Sequence, residues 1–298
     1  MIKRNTMERY RNIIPEFKRF KKLIHSPQPY DIRINTIKAT VPEIKSLLTQ
    51  NGFSFEQRDW NNEFLKVGFE PGKSILHWLG KYHVQESVSG IPPLALNPRP
   101  YDRVLDMCAA PGSKTSQMSA LMDNTGEILA NDISKNRIRS LLSNVSRLGC
   151  VNVQVFERDG RNIPEKSKFD RVLLDAPCSA EGNARKNNDL LNGADTETIT
   201  RISELQTSLL KKAFRLCKTG GTIVYSTCTF APEENEIVVS KLLKHGKLEK
   251  PDLNLPHSLG ITEWNDTKLG KELENCIRVY PHQLDSGGIF VAKFKKTA

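Results

Sequence analysis

The sequence predicts an α/β protein in which a doubly wound sheet is preceded by a small α+β unit. Three observations lead to this fold class. From Tyr101 onwards, short apolar runs alternate with helical patterns, as in a sheet covered by helices on both faces. Before that point, residues 31–70 place strand and helix patterns close together. The 298 residues, of which 38% are hydrophobic, are enough for about two domains of roughly 150 residues each.

Residues 1–29 form a basic segment that we expect to be helical, because Ile13, Ile14, Phe17 and Phe20 recur at roughly helical spacing. Eight bases and two acids in the first thirty residues account for six of the ten net positive charges. This excess favours a polyanionic partner, most simply nucleic acid, and the alternative is a solvated helix face. The bases are Lys3, Arg4, Arg9, Arg11, Lys18, Arg19, Lys21 and Lys22.

Residues 30–95 are predicted to be the small α+β unit and its linker. Pro42 opens a helix whose apolar side chains include Ile44 and Leu48. Several Pro and Gly residues between 71 and 100 indicate a connecting segment with one or two short elements. The predicted strands are Ile32–Asn35, Phe53–Glu56 and Phe64–Phe69.

Residues 96–298 carry the strand–helix alternation of the doubly wound sheet. A helix near 233–244 precedes two C-terminal apolar runs, which we expect to add a hairpin to the same sheet. The predicted helices are 114–122, 134–148 and 197–217. The predicted strands are Val104–Met107, Ile128–Asn131, Val151–Phe156, Phe169–Asp175 and Thr222–Ser226, with Ile277–Tyr280 and Ile289–Phe294 as the hairpin.

Cysteine use and hydropathy exclude several classes of protein. The six cysteines form no C-x-x-C pair and the six histidines show no ligand spacing, so we expect no metal site and reduced thiols. The N-terminus lacks the apolar core of a signal peptide, and no apolar run approaches the 18 residues of a membrane span. We therefore expect a cytoplasmic protein with no membrane partner. Nothing in the sequence indicates an oligomer, so a monomer is the default expectation.

Acidic residues follow four of the predicted strands, namely Asp106, Asp132, Asp159 and Asp175. Ligands of open α/β sheets bind beyond the carboxyl ends of the strands. Four acids at one rim suit a cationic nucleoside ligand better than a pyrophosphate. S-adenosylmethionine is such a ligand, because it carries a sulfonium, a ribose and an adenine but no phosphate. The alternative for each acid taken singly is a helix cap or loop residue.

The loop after the first of these strands is rich in small residues, which let the backbone approach a ligand closely. It reads Asp106-Met107-Cys108-Ala109-Ala110-Pro111-Gly112-Ser113-Lys114-Thr115. A phosphate-binding P-loop needs glycine at the positions of Ser113 and Cys108, and the dinucleotide pattern G-x-G-x-x-G is also missing.

Two cysteines, Cys178 and Cys228, stand just after the fourth and fifth strands of this series. If those strands are neighbours, both thiols lie at one rim beside Asp175. A thiolate that adds to carbon 6 of a pyrimidine makes carbon 5 nucleophilic towards a methyl donor, and an acid near ring nitrogen 3 stabilises the adduct. Lys114 would favour the thiolate form. This local chemistry does not rank the two thiols. The other cysteines, Cys108, Cys150, Cys217 and Cys276, are expected to be packing residues.

These motifs resemble the Sun-type (Nol–Nop–Sun) family of S-adenosylmethionine-dependent RNA cytosine-5 methyltransferases. Asp106–Thr115 resembles the family's cofactor loop, Asp175–Gly182 its first cysteine motif, and Ser226–Glu236 its second. The likeness extends to Arg33–Thr36 and Gln85–Ser87 upstream, and to Arg278–Pro281 and Gly287–Phe290 near the end. It implies a Rossmann-like class I methyltransferase domain with a mixed, mostly parallel seven-stranded sheet. A small RNA-recognition-motif-like domain precedes it in the chain.

The resemblance also implies roles for individual residues. Cys228 would attack carbon 6, Cys178 would assist proton removal and product release, Asp175 would hydrogen-bond the cytosine, and Lys114 would support the site. Ser113 departs from the family, which usually has glycine there. The residues implied to contact S-adenosylmethionine are Cys108, Ala109, Ala110, Pro111, Gly112, Ser113, Lys114, Asp132, Arg137, Asp159 and Asp175.

The expected function is methyl transfer from S-adenosylmethionine to carbon 5 of cytosine in RNA through a covalent cysteine adduct. We expect transfer RNA as the first choice of substrate and ribosomal RNA as the second. With no further RNA-binding domain expected after Ala298, target selection would rest on the basic segment and the catalytic cleft. The positions Arg185, Lys186 and Asn187 would contact the RNA backbone, unless they belong to a solvated loop.

Two other functions are compatible with this fold class. A noncatalytic RNA-binding or assembly factor would be expected to lose Cys178, Cys228 or Asp175, all of which are present. A methyltransferase acting on an amino nitrogen or a small molecule needs no thiol. It typically uses an Asn/Asp-Pro-Pro-aromatic loop, which the sequence Ala176-Pro177-Cys178 does not match.

Overall fold

The computed structural model describes residues 7–297. The N-terminal part is a 3-10 turn, Met7–Tyr10, followed by helix α1, Phe17–Ile24. Phe17, Phe20 and Ile24 are buried along one face of α1, and the lysines and Arg19 between them point to solvent. The helix expected in the basic segment therefore forms around these apolar residues, while Lys3 and Arg4 lie outside the described residues.

A four-stranded antiparallel sheet with the chain order β-α-β-β-α-β follows. Its elements are β1 (Tyr30–Ile34), α2 (Val41–Gln50), β2 (Phe55–Gln57), β3 (Phe64–Val67), α3 (Ile75–Trp78) and β4 (Tyr82–Val84). The strand order is β2-β3-β1-β4, and Ile32 and Ile34 pack with Ile44 and Leu48 on one face. Both α3 and β4 lie in the stretch that we expected to connect the two units and to contain one or two short elements.

The second face of this sheet packs against the C-terminal part of the chain. Arg33 is fully buried and donates to Gln85 (2.7 Å) and to the Ser116 hydroxyl (2.9 Å). Asp31 forms an ion pair with Arg58 at 2.6 Å. RNA-recognition motifs stack bases on this face of the sheet. In this protein Asp31 and Arg33, in the middle of that face, are buried, so this part of the face is not open to RNA bases.

A nine-stranded sheet forms the larger part of the molecule. In chain order, its elements and those packed around it are α4 (Ile91–Leu96), β5 (Arg103–Asp106), α5 (Ser113–Leu121), β6 (Glu127–Asp132), α6 (Lys135–Leu148), β7 (Val153–Glu157), β8 (Phe169–Asp175), α7 (Thr196–Leu216), β9 (Cys217–Thr227), α8 (Glu236–Ser240), β10 (Gly246–Glu249), β11 (Ser258–Leu259), β12 (Glu263–Trp264), β13 (Thr267–Lys268), β14 (Ile277–Val279), α9 (Pro281–Leu284) and β15 (Ile289–Lys296).

Seven of these strands form the predicted mixed sheet, in the order β14-β15-β9-β8-β5-β6-β7. From β9 to β7 the neighbours are parallel, whereas β15 runs antiparallel to both β9 and β14. The short strands β10 and β11 extend this sheet, and β12 and β13 form a separate hairpin. The helix expected near 233–244 is shorter than predicted, because α8 ends at Ser240.

Helices cover both faces of the parallel strands, which explains why these strands read as continuous apolar runs. Leu105 packs in a core with Leu209 and Leu210 of α7, whereas its neighbour Val104 packs on the opposite face with Met118 of α5. This sandwich brings the carboxyl ends of β5, β6, β8 and β9 to one rim. No helix in the described part of the chain is both long and apolar enough to cross a membrane.

A fully buried ion pair ties the start of α8 to β14. Arg278 and Glu236 are almost completely excluded from solvent, and the guanidinium is bonded to both carboxylate oxygens. Arg278 also donates to the backbone oxygen of Phe230 at 3.0 Å. The chain segment that follows β9 at the rim is thus anchored two residues after Cys228.

Candidate active site

Cys178 and Cys228 lie side by side at the rim of the sheet, and their sulfur atoms are 3.3 Å apart. Strands β8 and β9 are parallel neighbours, with Asp175 opposite Ser226. Cys178 lies three residues beyond Asp175 and Cys228 two residues beyond Ser226, so extensions of similar length from two paired strands bring the thiols together. This is the adjacency that the sequence predicts.

Asp175 and Lys114 form an ion pair beside the thiols, with Nζ and Oδ2 2.7 Å apart. The Ser226 hydroxyl donates to the other carboxylate oxygen of Asp175, also at 2.7 Å. Burial alone would lower the pKa of Lys114, but attraction to Asp175 outweighs it and raises that pKa above its ordinary value. Lys114 therefore stays cationic next to the cysteine pair.

The two thiols have different electrostatic surroundings. The pKa of Cys178 is raised well above its ordinary value, first by its hydrogen bond with the Cys228 sulfur and then by burial. The nearby Glu234 carboxylate acts in the same direction. Cys228 instead interacts with the Lys114 ammonium and accepts a hydrogen bond from the side-chain nitrogen of Asn183 at 3.2 Å. Negative charge is thus disfavoured on Cys178, whereas the Cys228 sulfur has a cation and an amide donor beside it.

Asn183 is a site residue that the sequence reasoning missed. It lies just past the end of the first cysteine motif and just before Arg185 and Lys186, which we expected to contact RNA. The only feature of the sequence that could have pointed to Asn183 as a site residue is a polar amide five positions after Cys178. Its contact with Cys228 depends on how the loop folds back across the rim, which the sequence pattern does not reveal.

Direct hydrogen bonds connect the loops that carry the two cysteines. The backbone N–H of Gly182 donates to the Cys228 oxygen at 2.7 Å, and the hydroxyls of Ser179 and Thr229 are also 2.7 Å apart. A side chain at Gly182 would collide with the backbone at Cys228, so glycine is required for this close approach. The thiols are therefore held by a rigid pair of loops.

The basic N-terminal segment packs against these loops. The Tyr10 hydroxyl donates at 2.8 Å to the buried Glu181 carboxylate, which also accepts from Thr229 at 3.0 Å. The ring of Phe20 meets that of Phe230 edge-on, with centroids 5.5 Å apart. The segment thus supports the loop after Cys228, a role that charge alone did not predict.

Most bases of this segment have acidic partners, which reduces the charge available for RNA. Of its six described bases, four form ion pairs with acids and two, Lys18 and Lys22, are exposed without such a partner among residues 7–297. The pairs are Arg9–Glu233, Arg11–Glu8, Lys21–Glu8 and Arg19–Glu16.

Two cavities of about 330 and 320 Å³ meet at the cysteine pair and share Cys108, Arg137, Asp175 and Cys228. Every residue implied to contact S-adenosylmethionine lines at least one of them except Gly112. The first cavity is lined by Ala109, Ala110, Pro111, Ser113, Lys114, Asp106, Asn183, Lys186 and Glu86, among others. The second is lined by Asp132, Asp159, Ile133, Pro177, Leu205 and Leu209, among others.

Gly112 shapes the loop instead of lining a cavity. Its φ of 102° lies in the region that favours glycine, and an added Cβ would come within 2.8 Å of the Leu141 side chain. The glycine therefore turns the chain tightly into α5 beneath α6.

The donors and acceptors around the second cavity fit a nucleoside with a cationic tail. Asp132 accepts from the backbone N–H groups of Ala110 (3.1 Å) and Ser134 (2.9 Å), which fixes its carboxylate at the cavity wall. Carboxylates in this position bind ribose hydroxyls in related α/β folds. The buried oxygen Asn131 Oδ1 has no hydrogen-bond partner among residues 7–297, and neither does Asp106 Oδ1 at the first cavity. Apolar Leu205 and Leu209 offer a surface for a base. These features suit S-adenosylmethionine.

The loop after the first cysteine motif differs from what we expected. Arg185 is 8% exposed and donates to the backbone oxygens of Pro27 (2.7 Å) and Ser286 (3.0 Å), so the expectation that it contacts RNA is wrong. Lys186 is exposed at the first cavity and pairs with Glu86. Asn187 accepts a bond from the N–H of Asp189 and so caps the following turn.

Burial keeps the remaining cysteines as thiols and raises the pKa of Cys217 to about 11. The pKa values of Cys108, Cys150 and Cys276 are also raised, chiefly by burial. Among residues 7–297, no group of three or more His, Cys, Asp or Glu side chains is placed to hold a metal ion.

A family profile described as 16S rRNA methyltransferase RsmB/F matches residues 93–295. The chain belongs to this family. The RsmB/F enzymes are Sun-type methyltransferases that depend on S-adenosylmethionine, so the family expected from the motifs is confirmed. The chain is 39% identical to the tRNA (cytosine(49)-C(5))-methyltransferase of Pyrococcus abyssi, over 99% of this chain and 96% of that protein.

Two further relatives extend the comparison. The chain is 38% identical to ribosomal RNA small subunit methyltransferase F of Klebsiella pneumoniae over 91% of its own length, but it spans only 58% of that enzyme. The structure of NSun6 from Pyrococcus horikoshii with SFG, an S-adenosylmethionine analogue, superposes with a TM-score of 0.84 and 25% identity. That match covers 98% of this chain and 97% of the other, and it confirms the predicted fold class.

Burial raises the pKa of Asp106 in this RsmB/F protein to about 7. The Asp106 carboxyl therefore keeps, in the folded protein, a proton that it releases at about pH 4 in the unfolded chain. The stability from this proton is fully present below that value and is lost as the pH rises to about 7, by up to about 1.4 kcal/mol per pH unit. The Asp106→Asn variant, whose side-chain oxygen can still accept from Thr115, escapes this loss.

We expect the free energy of unfolding of Asp106→Asn, relative to wild type, to be higher at about pH 8 than at about pH 5, because only the wild type loses the buried proton. Urea denaturation at the two pH values measures this difference. Asp123→Asn, at an exposed loop position, is the control and should behave like wild type. A relative stability of Asp106→Asn that does not change with pH would contradict the assignment.

Proposed function

We propose that this protein transfers a methyl group from S-adenosylmethionine to carbon 5 of cytosine in RNA through a covalent adduct with Cys228. The observation that carries this proposal is the pair of unlike thiols, 3.3 Å apart, beside the Lys114–Asp175 ion pair. Relatives named as tRNA and rRNA cytosine-C(5) methyltransferases support it. A methyltransferase acting on nitrogen would have no use for two thiols in this arrangement.

Cys228 is the nucleophile in this proposal. Its sulfur interacts with the Lys114 ammonium and accepts bonds from Asn183 and Cys178, and these contacts favour the thiolate that attacks carbon 6. As the sulfur–carbon bond forms, the electron pair of the carbon 5–carbon 6 double bond moves onto carbon 5. Asp175, held between Lys114 and Ser226, accepts a hydrogen bond from the cytosine amino group and so orients the ring, and the Lys114 ammonium offsets the charge that develops.

Cys178 assists the second half of the reaction. When bound, S-adenosylmethionine supplies the electrophilic methyl group for carbon 5. The carbon 5 proton then passes to a solvent water molecule, the electron pair of its bond to carbon restores the double bond, and the pair of the sulfur–carbon bond returns to Cys228. Cys178 helps this release because it stays protonated and donates its S–H to the departing sulfur.

S-adenosylmethionine is assigned to the cavities at the thiols. Asp132 would bind the ribose, and Asp159 and Arg137 would complete the wall of the second cavity. The loop Cys108–Lys114 would bring the methionine end towards Cys228. The cationic sulfonium would lie near the carboxylate of Asp175 and the side-chain oxygens of Asp106.

Alanine variants of the two cysteines test this division of roles. We expect Cys228→Ala to abolish methyl incorporation into RNA, because carbon 6 is no longer attacked. We expect Cys178→Ala to accumulate a protein–RNA adduct, because the release step slows. Denaturing gel electrophoresis with radiolabelled RNA detects the adduct, and incorporation of labelled methyl groups reports turnover.

The double variant Cys178→Ala/Cys228→Ala is the matched control and should form no adduct. Unchanged methylation by Cys228→Ala would contradict the mechanism. An adduct that persists in the double variant would show that it does not depend on Cys228.

Transfer RNA is the substrate that we propose first and ribosomal RNA second. The P. abyssi tRNA enzyme matches nearly its whole length, whereas the rRNA enzymes are longer than this chain. RNA contacts outside the pocket are assigned to the exposed bases Lys18 and Lys22 of α1 and to Lys186 at the cavity mouth. Cationic side chains of this kind bind phosphates and add little sequence preference.

We expect bisulfite sequencing of host RNA, with and without the gene, to show that loss of the gene removes a 5-methylcytosine from transfer RNA.

With that RNA as substrate, the double variant Lys18→Glu/Lys22→Glu should raise KM with little change in kcat, because it weakens phosphate contacts only. Arg11→Glu, at a base already paired with Glu8, is the comparison variant and should have a smaller effect. If bisulfite sequencing shows that the 5-methylcytosine is lost only from ribosomal RNA, ribosomal RNA and not transfer RNA is the first substrate.

A further inference from the structure

We propose that Asn183 is a catalytic residue whose side-chain amide donates a hydrogen bond to the Cys228 sulfur and stabilises its thiolate. The inference rests on the proposed function, because it assigns a role to a group that touches the attacking sulfur. Asn183 belongs to a short 3-10 turn, Glu181–Asn183, which follows Cys178 and passes over Cys228.

The geometry leaves one direction for this hydrogen bond. Asn183 Nδ2 lies 3.2 Å from Cys228 Sγ. An amide nitrogen carries only donor hydrogens, so the sulfur must be the acceptor. The Cys178 sulfur also lies 3.3 Å from Cys228 Sγ, and the raised pKa of Cys178 favours Cys178 as the donor of that contact. A sulfur in this position is better stabilised with a negative charge than as a thiol.

The backbone of Asn183 is fixed on both sides, so its side chain is held in place. Its N–H donates to the Ala180 oxygen at 2.9 Å, and its own carbonyl accepts from Lys186 (2.8 Å) and Asn187 (3.1 Å). The neighbouring Gly182 is bonded to the Cys228 backbone, which ties this turn to the second cysteine loop. Loop asparagines usually bond their own turn, whereas the amide of Asn183 bonds a sulfur 45 positions along the chain.

A neutral donor has an advantage that a second lysine would lack. Hydrogen bonds to an ionised acceptor favour the charged form. Lys114 is already committed to Asp175, which must face the cytosine, so extra stabilisation of the thiolate has to come from a group that leaves this ion pair undisturbed. The Asn183 amide supplies this stabilisation of the thiolate before Cys228 attacks, and again when the electron pair returns to its sulfur at release.

The pH dependence of Cys228 alkylation tests this role without any substrate. Wild type and Asn183→Leu, a neutral variant of similar size, are treated with iodoacetamide across a range of pH, and peptide mass spectrometry reads Cys228 alone. We expect the pH of half-maximal alkylation to rise by about one unit in the variant, a tenfold loss of thiolate below that point. Asn183→Asp, which replaces the donor with a negative charge, should raise it further.

Asn192→Leu is the matched control, since Asn192 lies in the same loop region and bonds the backbone of Asp189 instead. Its alkylation profile should match wild type. The Asn183→Asp variant is almost isosteric and keeps the test decisive if Asn183→Leu does not fold, as judged by circular dichroism. An unchanged profile in a folded Asn183 variant would overturn the proposal.

Different results would contradict the role of Asn183 and the proposed methyltransferase mechanism. An unchanged alkylation profile together with an RNA adduct on Cys228 would remove Asn183 from the catalytic residues and leave the methyltransferase mechanism intact. A shifted profile without any RNA adduct would keep the hydrogen bond but contradict the proposed function. In wild type, the acid side of the pH–rate curve should follow the alkylation profile, and in Asn183→Leu it should move to higher pH with it.

Discussion

The parallel pairing of β8 with β9 is the constraint on which the rest of the site depends. Because Asp175 lies opposite Ser226, loops of similar length bring Cys178 and Cys228 within 3.3 Å. A slip by one residue would turn each side chain to the other face of the sheet and separate the thiols. The central strands are buried on both faces, and this burial makes such a slip costly.

The other parts of the molecule stabilise the loops that leave this strand pair. Tyr10 reaches Glu181, the Glu236–Arg278 ion pair anchors Phe230, and the small sheet covers α5 behind the cofactor loop. Unpaired buried charges are costly, so each of these polar contacts holds its loop in one conformation. Rigid loops suit a reaction in which the same sulfur must attack and then leave, since the thiolate has to be stabilised in place at both steps.

Periodicity and strand-end chemistry were enough to predict the sheet, its five central strands and the rim where Asp175 and both cysteines meet. They could not predict contacts made between distant segments. Arg185 looked like a solvent-facing base in the sequence, but it is buried against Pro27 and Ser286. Likewise, Asn183 carries no charge to attract attention, and the ranking of the thiols depends on Glu234 and Lys114, which only the folded chain places near different sulfurs.

The central claim is that Cys228 forms the bond to cytosine while Cys178 remains a thiol. RNA containing 5-fluorocytidine tests it most directly, because fluorine at carbon 5 prevents the proton loss that release requires. Wild-type protein is incubated with this RNA and S-adenosylmethionine, digested, and analysed by tandem mass spectrometry. The account predicts a methylated fluorocytidine nucleotide attached to Cys228. Attachment to Cys178, or recovery of both thiols unmodified, would contradict it.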